Sequence, residues 1–61
     1  MDIQIDATAF LAACAAAGVT DYRFVWGSDG LLFFPDDYPA DQKTTVEAEH
    51  HSALIAAGYA G

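Results

Sequence analysis

Between Tyr22 and Phe34 the chain reads YRFVW, then GSDG, then LLFF, and a proline follows. Aromatic and β-branched side chains suit a pleated, half-buried surface, and Gly27-Ser28-Asp29-Gly30 supplies the residues of a reversal. The expectation is a β-hairpin whose second strand is closed by Pro35, which has no N–H to donate. Along the first strand Tyr22, Phe24 and Trp26 share a face, and along the second Leu31 and Phe33 do. A lone hairpin is marginal in water, so the segments on either side of this one must cover it.

Both flanks read as helices. Asp6 is placed to cap an alanine-rich helix from Ala7 to Ala17, and Gly18 follows as a residue able to take positive φ. Phe10, Leu11, Cys14 and Ala17 form its apolar stripe. Ahead of it Met1, Ile3 and Ile5 alternate with Asp2 and Gln4, which reads as a short extra edge strand or as a lead-in. The last third is a helix with two possible starts. Pro39 suits a first turn capped by Asp37, while Thr44-Thr45-Val46-Glu47 has the form of a capping box that would begin it later. Val46, His50, Ala53, Leu54 and Ala57 keep helical spacing in either case, and Gly58 ends the run.

The expected architecture is a single α+β domain over residues 1–61, ordered helix, β-hairpin, helix (αββα), with Phe10, Leu11, Phe24, Trp26, Leu31, Phe33, Val46 and Leu54 in its core. A chain of 61 residues buries only about 60% of its unfolded surface, so little core is spare for a substrate pocket. A composition 54% hydrophobic, with four Phe, three Tyr and one Trp, nevertheless separates it from disordered acidic tails. The single cysteine, Cys14, cannot make an internal disulfide, which fits a small core residue in a reducing compartment such as the cytoplasm. Leu11-Ala12-Ala13-Cys14 has the look of a lipoprotein cleavage box, but Asp2 and Asp6 stand where a leader needs positive charge. No apolar run approaches the roughly 18 residues of a membrane span.

Charge is the feature that bears on function. Nine acids face only Arg23 and Lys43, a formal charge of −7. Such a surface repels nucleic acid and anionic membranes directly and attracts basic proteins; the same charge also keeps a small domain dispersed. Catalytic sets are hard to assemble from what remains. Adjacent Asp36 and Asp37 in a proline-flanked turn have no positioned partner for acid–base work, and Gly27-x-x-Gly30 belongs to a hairpin turn rather than a phosphate loop. Glu47 and His50 have the i, i+3 spacing of metal-binding bundles, with Glu49 and His51 beside them. The first helix contributes no further ligands, and only a dimer would complete the set. The chain is therefore expected to be no enzyme and to need no metal or cofactor.

The acids cluster around FFPDDYPADQ, the passage from hairpin to second helix. Asp36, Asp37, Tyr38, Asp41, Glu47 and Glu49 are the candidate partner-binding residues. If the helix starts early, Asp37 and Asp41 stand about 5–6 Å apart on one face, a spacing comparable to phosphates. Two short helices cannot bury Tyr22, Val25, Leu32, Phe34 and Tyr38 together. Apolar surface should therefore remain exposed near the acids, as an interaction patch or a homodimer interface. In size, acidity and want of a catalytic motif the chain resembles the small proteins that phages encode against host machinery, anti-CRISPR proteins and other DNA mimics. That resemblance implies an inhibitor whose carboxylates compete for the Arg/Lys groove of a nucleic-acid-binding host protein, such as an RNA-guided effector that reads DNA with arginines. An assembly protein of a phage particle and a small antitoxin-like binder are the competing expectations.

Overall fold

In the computed structural model, which describes residues 4–27 and 31–58, the order is α1 (Ala7–Ala16), β1 (Val25–Trp26), β2 (Leu32–Phe33) and α2 (Ala40–Ala56). This is the expected αββα arrangement, with one antiparallel two-stranded sheet between two helices. Of the reversal at Gly27–Gly30, residues 28–30 lie outside the described residues, as do Met1 and Ile3 of the suggested extra strand. Gln4 to Asp6, which are described, form no strand.

Local chemistry fixes both ends of α1. The Asp6 carboxylate accepts from the Ala9 N–H at 3.1 Å, satisfying one of the donors that a helix start leaves unpaired. Ile5 just before the cap and Phe10 four residues into the helix both join the core, the hydrophobic staple that fixes the angle of entry. At the other end Gly18 takes φ +97°. This lets the Val19 N–H reach back to the Cys14 carbonyl at 3.0 Å and the Gly18 N–H to that of Ala15 at 3.1 Å. Buried Val19 and Cys14 complete this Schellman motif with an apolar contact.

α2 begins at Ala40, close to the early start, but Pro39 stands in the cap position and no side chain caps it. The capping-box alternative is overturned. Thr44 and Thr45 lie inside the helix, and their hydroxyls donate back to the Ala40 and Asp41 carbonyls at 3.2 Å. Asp37 does not cap either, because it sits two residues ahead of the cap position, in a turn closed by the Tyr38 N–H on the Pro35 carbonyl.

The core joins Ile5, Phe10, Cys14, Val19, Phe24, Tyr38, Val46 and Leu54, with Trp26, Leu32, Phe34 and Ala53 packed against it. Phe10, 2% exposed, is its hub. It meets Phe24, Trp26 and His50 edge to face, at centroid distances of 6.1, 5.0 and 5.6 Å. Three expected core residues lie outside. Leu11 is 39% exposed because α1 packs along a narrower stripe, Phe10 and Cys14, while Leu31 and Phe33 are 53% and 61% exposed.

The hairpin register explains the last two. Trp26 pairs with Leu32 and Val25 with Phe33. Leu32 and Phe34 therefore share the inner face with Phe24 and Trp26, and Leu31 and Phe33 are turned outward. A displacement of one residue exchanges the two faces of a strand.

Candidate functional site

The turn from β2 into α2 begins with Pro35, whose missing N–H suits a position after the ladder ends. Asp36 and Asp37 occupy the middle of that turn and are exposed. Tyr38, expected among exposed partner-binding residues, instead points inward and is 8% exposed. Its ring packs on Phe34 at 4.8 Å and on Phe24 at 6.3 Å, and its hydroxyl donates to the Asp21 carbonyl at 2.7 Å. Burial, reinforced by the negative charge of Asp21, holds the Tyr38 proton above the ordinary tyrosine range. Tyr38 therefore ties the acidic turn to the segment ahead of β1.

Arg23 makes the second tie. Its Nε and a terminal nitrogen grip the Asp21 carboxylate at 3.0 and 2.6 Å, and its other terminal nitrogen lies 3.0 and 3.1 Å from the two Asp37 oxygens. The guanidinium hydrogen bonds hold the Asp21 carboxyl below its ordinary range, and the two carboxylates hold the Arg23 proton more tightly still. Asp37, with a side chain 74% exposed, is thus half of an ion pair and not an open charge.

Gln42, which sequence reasoning passed over, is the third. From the first turns of α2 its Oε1 accepts from both the Thr20 and Asp21 N–H groups at 2.9 Å, and its Nε2 donates to the Thr20 hydroxyl at 3.0 Å. A contact spanning 22 residues leaves no local pattern in the sequence.

The remaining acids do not form one row. Asp41 lies in the first turn of α2, near the positive end of the helix, and is exposed. Glu47, also exposed, is six residues on and so about 120° around the axis. Glu49 is about 160° from Glu47, on the other flank of the buried stripe. It is half-buried there and borders a cleft of about 320 Å³ between the helices, lined by Asp6, Ala9, Phe10, Ala13 and Ala53 among others. The phosphate-like spacing expected of Asp37 and Asp41 does not arise, since Asp37 is outside the helix.

Among the described residues Asp36, Asp41, Glu47 and Glu49 have no ion pair. Both cations are engaged elsewhere: Arg23 as above, and Lys43 with its ammonium 5.6 Å from the centre of the Phe34 ring.

The histidines divide as well. His51 is exposed, whereas His50, expected at the edge of the buried face, is 2% exposed. Its Nε2–H donates to the Gly27 carbonyl at 2.7 Å, joining α2 to the end of β1. Among the described residues no group of three or more His, Cys, Asp or Glu side chains is arranged to hold a metal ion. Cys14 is buried, and burial together with Glu49 pushes its thiol pKa up, away from the reactive thiolate.

Among the described residues two surfaces bear on recognition. One is the set of exposed carboxylates at and beyond the turn. The other is the outer face of the hairpin, where Val25 (63% exposed) and Phe33 stand opposite one another. Among the described residues no helix is long and apolar enough to cross a membrane. The chain matches no protein-family model, no curated protein and no solved structure.

Proposed function

We propose that this chain is a phage-type inhibitor. It binds a basic, nucleic-acid-binding protein in the host-cell cytoplasm and obstructs that protein's DNA or RNA site with its acidic surface. The observation that carries the reading is the distribution of charge. Asp36, Asp41 and Glu47 are exposed with no ion pair among the described residues, and the chain's two cations are held by Asp21, Asp37 and the Phe34 ring. A cleft that gains affinity by neutralising phosphates offers these carboxylates the counter-charges that the described residues do not. Tyr38 enters this mechanism from inside, as the residue that fixes the turn carrying Asp36.

The partner can be captured on the immobilised protein from a bacterial lysate, identified by mass spectrometry and purified. Labelled nucleic acid bound to that partner should then be displaced by the protein. Replacing Asp36, Asp41 and Glu47 by Asn, Asn and Gln should weaken binding about tenfold or more, roughly 1.4 kcal/mol, and added salt should weaken it further. Because these side chains are exposed, circular dichroism and melting temperature should stay near wild type. A partner that binds nucleic acid and this protein at once, or an affinity indifferent to both salt and the triple change, would falsify the proposal.

The exposed pair Val25 and Phe33 favours a second reading, that of an assembly protein of a phage particle joined to its neighbours by apolar contact. Binding lost with Phe33 and insensitive to the acids would support it.

A further inference from the structure

We infer that the outer face of the hairpin is an anchoring surface for a basic partner that presents apolar side chains between lysines and arginines. This deepens the proposed function and rests on it. The register places Val25 directly opposite Phe33, both more than half exposed, while their neighbours Phe24, Trp26, Leu32 and Phe34 face the core. Directly opposed side chains in an antiparallel pair are close enough to present one continuous apolar contact. An aromatic and a β-branched residue exposed side by side, with exposed Leu31 towards one end and charged side chains near the other, have the make-up of an interface centre.

Charge at the end of the face selects the occupant. Arg23, two residues ahead of Val25, binds Asp21 and Asp37 beside this end of the hairpin, and Asp36 lies three residues beyond β2 at the same end. Three carboxylates against one guanidinium leave that end with a surplus of two negative charges. A second copy of the chain, also carrying −7, meets repulsion there, whereas a basic partner gains attraction. Apolar contact in the middle and opposite charge at the rim then act together.

The test uses the full chain and three synthetic peptides of equal length. The first has a valine–phenylalanine centre flanked by lysine and arginine. In the second, serines replace the apolar centre, and in the third, glutamates replace the basic flanks. The first should bind saturably by isothermal titration calorimetry, and Phe33→Ser should weaken it about tenfold or more. The second should bind about tenfold more weakly than the first and ignore the Phe33 change. Val25→Thr should reproduce the loss, with circular dichroism confirming that both variants fold.

Equal binding of the two basic peptides, unaltered by Phe33→Ser, overturns the anchoring surface and leaves the proposed function standing. Equal binding of the acidic peptide, or a dimer in sedimentation equilibrium that Phe33→Ser dissolves, overturns it in favour of indiscriminate apolar contact or self-association. Failure of both basic peptides to bind overturns the anchoring surface and leaves the proposed function to be decided by the displacement of nucleic acid from the captured partner.

Discussion

Tyr38 shows how a single residue changes role between sequence and structure. In the run PDDYPAD it is surrounded by acids and prolines and reads as surface, but its hydroxyl satisfies the Asp21 carbonyl and its ring closes the core over Phe34 and Phe24. Replacing it with Phe keeps the packing and orphans the carbonyl, which should cost about 1 kcal/mol at neutral pH, read as a lower melting temperature. The pH dependence has a definite sign. The folded state raises the Tyr38 pKa above its ordinary value of 10.0, so the protonated hydroxyl is favoured in the fold. Its contribution is complete below pH 10.0 and is lost as pH rises through the folded value. Melting temperatures of wild type and Tyr38→Phe should therefore converge at strongly alkaline pH, with Cys14, shifted in the same direction, contributing to the decline of both. A gap between the two that persists unchanged at alkaline pH would count against this assignment.

At the scale of elements, both ends of α1 and the end of α2 were legible, whereas the start of α2 and the facing of the strands were not. Asp6, Gly18 and Gly58 mark helix ends through interactions within a few residues, and these residues behave as their types dictate. The hairpin could be recognised, yet the faces of its second strand depend on how many residues separate the paired positions. Composition alone does not settle that number. Pairing of Trp26 with Leu32 sends Leu32 and Phe34 inward and Phe33 outward. The two phenylalanines, adjacent in sequence, should thus respond very differently to substitution. Phe33→Ser should change stability by no more than about 0.5 kcal/mol, whereas Phe34→Ala, which opens the packing on Phe24 and Tyr38, should cost roughly 2–3 kcal/mol. Chemical denaturation of the two variants would read the register directly, and the opposite order would mean that the strand is displaced by one residue.

The whole molecule is governed by its charge. Seven net negative charges on 61 residues repel one another in the compact state. Raising ionic strength from about 0.01 to about 0.15 M shortens the screening length from about 30 to about 8 Å. The melting temperature should rise by roughly 2–5 °C, the equivalent of about 0.5 kcal/mol in a chain of this size. A fall would mean that the Arg23 bridges outweigh the repulsion of the remaining acids. The net charge, the caps of α1, the hairpin and the αββα order are properties of composition and of residues close together in the chain, and for that reason the sequence by itself determined them. The side chains that hold the acidic turn in place are another matter. Arg23 meets Asp37, Tyr38 meets Asp21 and Gln42 meets Thr20 across separations of 14, 17 and 22 residues. Which acids are neutralised and which aromatics remain outside follows from those meetings, and only the tertiary structure decided them, because long-range contacts are selected by the packing of the whole chain and not by its local pattern.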